Sequence, residues 1–269
     1  MNNKVSVITA SYNAGRFIEE TIKSVLNQTY TDLELIIVDD CSTDNTEEIV
    51  NKYIKIDSRI KFYKLKENSG AAVVRNTALE KAEGRFIAFL DSDDLWDKEK
   101  LEKQINFMKS NNYGFSFSSY RLIKENGELL NKEVRVPKEV KYTDLLKNTI
   151  IGCLTVIIDK DIIGGFRMPL VRAGQDTATW LSILRDGNIA YGYNEVLASY
   201  RLVDGSISSN KLKALKRTWN TFRNIEKLNL FKSSYYFTWY ILNAIKKRIW
   251  YWRERYENSS GGYRICGLI

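Results

Sequence analysis

The chain has no histidine. That absence removes every serine–histidine and cysteine–histidine nucleophile pair and every histidine-ligated metal site. Proton transfer must fall to carboxylates, lysine, tyrosine or cysteine. A bound metal ion must be held mainly by oxygen, which suits Mg²⁺ or Mn²⁺. Cysteine is scarce: Cys41, Cys153 and Cys266 are odd in number, widely spaced and form no CxxC pair. They imply free thiols in a reducing compartment, not a disulfide framework or a zinc site. No apolar run approaches the ~18 residues a membrane-spanning helix needs. Met1-Asn2-Asn3-Lys4 runs straight into a strand-like stretch, without the basic and apolar regions of a signal peptide. The expectation is a cytoplasmic protein.

The 269 residues present are enough for one large α/β domain or two small ones with a sizeable core. The net charge of +8 is unevenly placed. Between Lys211 and Tyr256 there are twelve basic residues and only two acidic ones, Glu226 and Glu254, so the first 210 residues are slightly acidic. Over the first 120 residues strand and helix alternate. KVSVITA (Lys4 to Ala10), LELIIV (Leu33 to Val38), Ile60 to Leu65 and RFIAFL (Arg85 to Leu90) read as strands. Apolar residues at Phe17, Ile18, Ile22, Val25 and Leu26 mark a helix. Further helices are expected through about Tyr53, over Gly70 to Ala82 and near Lys98 to Lys109, with a strand near Tyr113 to Ser118. Such alternation implies a parallel, doubly wound sheet with ligands beyond the carboxyl ends of its strands. Later come a hairpin around Asn126-Gly127, a strand over Gly152 to Asp159, a helix over Gln175 to Arg185, β-like sequence from Tyr191 to Arg201, and helices from Ser209 to about Tyr256.

Two acidic clusters come directly after strands: Asp39-Asp40 after LELIIV, and Asp91-Ser92-Asp93-Asp94 after RFIAFL. Crowded carboxylates repel one another unless something positive binds there. A divalent ion completed by a diphosphate answers that need. Helix capping is the structural alternative. It accounts for Asp44 or Asp97, but not for three acids in four residues after an apolar strand.

The ordered segments VSVITASYNAG, LELIIVDDCSTDNT, NSGAAVVRN and FIAFLDSDD, with GQDTATWLSIL later, resemble the family 2 glycosyltransferases of the GT-A fold. With AYGYNEVLASYR and SISSNK included, the likeness is to bacterial enzymes of cell-wall and capsular polysaccharide synthesis, of the teichuronic acid type. The resemblance implies an α/β GT-A fold, a mostly parallel sheet flanked by helices with a C-terminal helical extension. It places Ala10 and Tyr12 at the uracil base, with Asp40 accepting from the imide N–H and Asp39 beside it. Arg75 falls near the base and phosphates, although an ordinary solvated helix arginine is the alternative. Asp91 falls near the ribose hydroxyls with Ser92 in the same nucleotide-binding turn, and Asp93 is the ligand of Mn²⁺ or Mg²⁺. Asp176 is the catalytic base, and N-capping of its helix is compatible with that role. The family usually shows Glu-Asp where this chain has Gln175-Asp176. Gln175 and Trp180 are candidates for the acceptor site, a core tryptophan being the alternative for Trp180.

The function so implied is inverting transfer of a sugar from a nucleotide-sugar, a UDP-sugar above all, to a glycan or lipid-linked saccharide. An inactive nucleotide-sugar-binding or scaffold subunit is the rival. A nucleotidyltransferase would begin with a Gly-rich, basic phosphate loop, which TASYNAG is not. Residues 1–208 form the expected catalytic domain, with 1–118 its nucleotide-sugar half and 119–208 its acceptor half. Residues 209–269 form a basic, aromatic-rich tail. The run YYFTWYILNAI is too short to cross a bilayer, but aromatics among cations suit a helix lying in an anionic headgroup layer. Peripheral contact with the inner face of the cell membrane through 209–256 is therefore expected. Packing on the domain and an oligomer interface are the alternatives. No motif asks for nucleic acid.

Overall fold

A computed structural model describes residues 3–203 and 211–259. Strands β1 (Val5–Ser11), β2 (Leu33–Asp39), β3 (Ile60–Lys64) and β4 (Phe86–Phe89) lie in the order β3-β2-β1-β4, all parallel. Helices α1 (Ile18–Leu26), α2 (Thr46–Ile54) and α3 (Ala71–Lys81) connect them. Every residue of β2 is buried, as expected of a strand covered on both faces. Its side chains alternate between two cores: Ile36 and Val38 join Val74, Phe89 and Trp180 on one face, while Leu35 and Ile37 join Ile18, Ile22 and Val25 on the other.

The second half completes the same sheet. It comprises β5 (Leu95–Trp96), α4 (Lys100–Asn111), β6 (Phe115–Ile123), β7 (Leu129–Val134), β8 (Glu139–Val140), α5 (Tyr142–Lys147), β9 (Ile157–Asp159), α6 (Lys160–Ile163), α7 (Gln175–Arg185) and β10 (Ala190–Arg201). The order continues β4-β9-β6-β10-β5. β6 and β10 are parallel, but β9 runs antiparallel to both β4 and β6. The sheet is therefore mixed, not wholly parallel. Only the end of the strand expected over 152–159 pairs, because Cys153–Thr155 coils into a 3₁₀ turn. The carbonyl of Leu154 in that turn accepts from the Trp96 indole at 2.8 Å. The expected hairpin is present, with Gly127 at φ +84° in the turn between β6 and β7.

Beyond β10 come α8 (Lys211–Asn220), a π-helical stretch (Thr221–Ile225) and α9 (Leu230–Ser259). Ser209, the expected start of these helices, lies outside the described residues. α9 packs against α5, and the Asn243 amide donates to the Lys147 carbonyl at 3.1 Å. The Glu226 side chain is fully buried and accepts from the Tyr142 hydroxyl at 2.7 Å and from Arg185 at 3.0 Å.

One buried acid steadies the far end of the sheet from the site. Glu34 on β2 is 1% exposed and accepts from the Ser6 hydroxyl at 2.6 Å and the Glu83 amide at 2.9 Å. It also faces Lys4 at 3.0 Å and Lys61 at 2.8 Å. Burial works against its charge, but Lys61, Ser6, the Glu83 amide and Lys4 outweigh it and bring its pKa down to about 2. A depressed carboxylate pKa contributes stability above its unfolded value and loses it as pH falls through the folded one. Glu34→Gln is therefore expected to cost roughly 2–3 kcal/mol at pH 7. Urea unfolding of both proteins should show that difference shrinking as pH falls from about 4.5 toward 2.

Candidate active site

β4 ends in the acidic turn Asp91-Ser92-Asp93-Asp94, and Arg201 at the end of β10 holds this turn in place. The Arg201 amide donates to the Asp94 carboxylate at 2.8 Å and its Nε donates to the Asp93 carbonyl at 2.7 Å. Its remaining nitrogens reach the Glu125 carbonyl at 2.8 Å and the Glu20 carboxylate at 2.7 Å. The Arg201 side chain is wholly buried, with the Phe17 ring 4.9 Å from its guanidinium carbon. The Thr21 hydroxyl donates to the Asp94 carbonyl at 3.0 Å, tying the turn to α1 as well. Asp94 is thus structural on one side, yet its second oxygen, Oδ2, is buried with no partner among the described residues.

The loops after β1 and β2 are knitted together. Asn13 and Cys41 adopt left-handed backbone, with φ of +47° and +65°. The Asn13 amide donates to the Ser42 hydroxyl at 2.8 Å, and its side-chain oxygen accepts from the Thr43 amide at 2.9 Å. Asp39 is fully buried and accepts from the Ser42 amide at 2.8 Å. It shapes the turn into α2, and no part of it reaches the surface. Asp40 accepts from the backbone amides of Ser69 and Gly70, at 2.7 and 2.9 Å, at the start of α3. A carboxylate has about four lone-pair sites, so two amides fix Asp40 and leave capacity for a ligand N–H. Ala10 is half-buried at the end of β1 and Tyr12 beyond it is exposed.

Arg75, on α3, pairs with Asp91. It is buried, which removes the reading of it as a solvated surface arginine. Burial opposes its charge, but Asp91 and Asp176 are among the groups that outweigh it and hold its pKa above the ordinary arginine value. Asp176, half-buried in the first turn of α7, lies within the field of Arg75. The thiol of Cys153, pushed up by burial, lies within the field of Arg75, Asp91 and Asp176. Gln175 is nearly buried and its side-chain oxygen has no partner among the described residues. Trp180 lies in the core, the alternative raised for it: it is 0% exposed, with the rings of Phe89 and Phe115 at 5.4 and 5.3 Å. Ser92 is half-buried within the acidic turn. The places of Arg201 and Cys153 beside this site escaped sequence reasoning. The only signal for Arg201 was a basic residue ending the β-like segment in a chain with an uncompensated acidic turn.

Among the described residues no three acids or cysteines converge into a closed metal cage. The turn nevertheless suits a divalent ion. Burial and the neighbouring Asp91 push the Asp93 pKa up to about 6, and burial together with Asp93 and Asp91 pushes Asp94 well above the carboxylate range. A cation would relieve both effects, and Mg²⁺-like ions commonly take one or two carboxylates and complete their shell with water and substrate phosphates.

A parallel β/α half ending in an acidic turn, joined through an antiparallel strand to a half that carries a further acid, defines a GT-A glycosyltransferase. The sequence pattern of Glycosyl transferase family 2 matches residues 6–168, and the chain belongs to that family. It is 56% identical over 245 residues to TuaG of Bacillus subtilis, assigned as a glycosyltransferase of teichuronic acid biosynthesis, covering 91% of this chain and 97% of the relative. It is 46% identical over 244 residues to WfgD of Escherichia coli, a UDP-Glc:α-D-GlcNAc-diphosphoundecaprenol β-1,3-glucosyltransferase, covering 90% of this chain and 94% of that one. The fold is also that of S. aureus TarS solved with UDP-GlcNAc, with a TM-score of 0.69 at 23% identity over 88% of this chain and 71% of TarS.

Arg201→Met is expected to lower folding stability by roughly 3 kcal/mol, since it strips a buried hydrogen-bonding charge from two carbonyls and Glu20. Urea unfolding should show a lower midpoint with an unchanged slope.

Proposed function

We propose that this glycosyltransferase is inverting and metal-dependent, and moves a sugar from a UDP-sugar to a lipid-linked or polysaccharide acceptor in bacterial cell-surface polysaccharide synthesis. The observation that carries this reading is the single electrostatic unit of Asp91, Arg75 and Asp176 beyond the carboxyl end of β4. It sets an acidic turn fit for a metal–diphosphate against a separate carboxylate fit for a base. Asp176 accepts the proton of the acceptor hydroxyl as that oxygen bonds the anomeric carbon and the bond to the diphosphate breaks. One displacement opposite the leaving group inverts the anomeric centre. Asp93 would hold a divalent ion, Mn²⁺ or Mg²⁺, which when bound would supply positive charge to the departing diphosphate. Asp91 faces the ribose, Arg75 balances Asp91 and Asp176, and Asp40 and Tyr12 hold the uracil, with Ala10 and Ser92 lining the nucleotide. Gln175 borders the acceptor. In this reading 1–118 serves the donor, 119–208 the acceptor and 209–269 the surroundings. The name of WfgD supports a UDP-sugar donor and a saccharide–diphosphate–lipid acceptor.

The tail supports work at a membrane surface. α9 buries Ser233 and packs Tyr236 and Phe237 on the core. Phe231, Tyr235, Trp239, Leu242 and Ile245, spaced three or four apart and so on one helical face, remain exposed, Phe231 to 87%. No described helix is long and apolar enough to cross a bilayer. An exposed aromatic stripe on a basic helix instead lies in the headgroup layer of anionic lipid.

Asp176→Asn is expected to lower transfer by roughly 10²- to 10⁴-fold while UDP-sugar affinity is kept. Following UDP release with Mn²⁺ and then EDTA, alongside calorimetry, checks both halves. A scaffold subunit would show no turnover to lose. Phe231→Ser combined with Trp239→Ser is expected to abolish flotation with phosphatidylglycerol vesicles, with phosphatidylcholine vesicles binding neither protein.

A further inference from the structure

Ten of the twelve arginines with described side chains hold a carboxylate or a carbonyl oxygen, as Arg75 holds Asp91 and Arg185 holds Glu226. Arg172 and Arg217 hold none among the described residues, and both stand at the start of α7. Arg172 is exposed in the loop that leads into Gly174. Arg217 comes from α8, a separate element beyond β10, and its stem lies on Gly174. A Cβ at that glycine would meet the Arg217 Cδ at 2.8 Å and Cγ at 3.2 Å. Gly174 also has φ +81°, a conformation side chains disfavour. The backbone is thus left bare where the arginine crosses it. Arg217 is half-buried, and among the described residues its guanidinium gains no counter-charge.

This crossing lies beside the proposed base. Asp176 is two residues beyond Gly174, so the two Cα atoms are at most about 7.6 Å apart. Arg217, unpaired among the described residues, therefore reaches the chain segment that carries Asp176 in the first turn of α7. A guanidinium presents a planar fork of donors that matches phosphate oxygens two at a time. We propose that Arg217, aided by Arg172, binds the diphosphate that joins a lipid-linked acceptor saccharide to its lipid. This rests on the proposed lipid-linked acceptor and adds its recognition element: the sugar's hydroxyl meets Asp176 while the anion one ring away meets Arg217. Packing of an aliphatic stem over a helix start is the purely structural alternative, and Arg217→Lys preserves much of that packing.

The test compares equilibrium binding to the full-length protein of three probes: a short-chain alkyl diphosphate-linked N-acetylglucosamine, octyl N-acetylglucosaminide, and UDP with Mn²⁺. Arg217→Gln is expected to weaken the diphosphate-linked probe roughly 10- to 100-fold and to leave octyl glycoside and UDP affinities as they were. Arg217→Lys should recover only part, because the fork is lost. Arg172→Gln should show a smaller loss of the same kind. A parallel loss of UDP affinity would move Arg217 to the donor diphosphate and overturn the proposal. So would unchanged affinity for the diphosphate-linked probe in Arg217→Gln, or a wild-type protein that binds both glycosides equally. Metal-dependent UDP-sugar turnover by the wild type, measured in the same samples, reports separately on the enzyme reading.

Discussion

The buried guanidinium of Arg201 is the interaction on which the site depends. Four of its contacts converge from different parts of the chain: the acidic turn after β4, Glu20 on α1, the carbonyl of Glu125 in the hairpin, and the ring of Phe17. A wholly buried arginine is expensive unless every nitrogen is used, and here the uses coincide with the places where the acidic turn and α1 meet the hairpin between β6 and β7. Asp93 keeps its side chain free because its carbonyl, and not its carboxylate, is what Arg201 holds. The arginine fixes the turn without consuming the Asp93 carboxylate.

Buried acids are treated in two ways in this molecule. Glu34 is surrounded by two lysines, a hydroxyl and an amide, and its charge is more than matched. Asp93 and Asp94 are buried beside Asp91 with too little positive charge near them, and Asp94 retains an unpartnered oxygen. The first arrangement holds strands together. The second is costly for the fold by itself, a cost that the proposed cation and anionic substrate would relieve. The same logic separates the arginines: among the described residues most are matched, and the two at the start of α7 are not.

Much of this was legible in the order of residues. β2 and β4 announced themselves as unbroken apolar runs ending in acids, and α7 as a helix with Asp176 in its first turn. What was not legible depended on contacts between distant segments. LTVIID has no local feature that tells an antiparallel strand from a parallel one, and the 3₁₀ turn at Cys153 is imposed by the packing of Leu154 under Trp96. Trp180 sits on a helix next to the proposed base, so sequence distance suggested the acceptor. The side chain points instead into the core between Phe89 and Phe115. Asp39 and Asp40 look alike in sequence, yet one is buried in its own turn and the other reaches across to α3.

The three residues of β9 bear on the modularity of the fold. They are stitched to β4 on one side and to β6 on the other. A fragment ending near residue 118 would strip β4 of its neighbour and leave a row of unpaired amides and carbonyls along an apolar edge, a template for aggregation. The Arg85–Asp159 ion pair, at 2.6 Å, clamps the same seam. Residues 1–118 are therefore not a detachable cassette. An exchange of the later segments between relatives would have to carry β9 and its partner arginine across together.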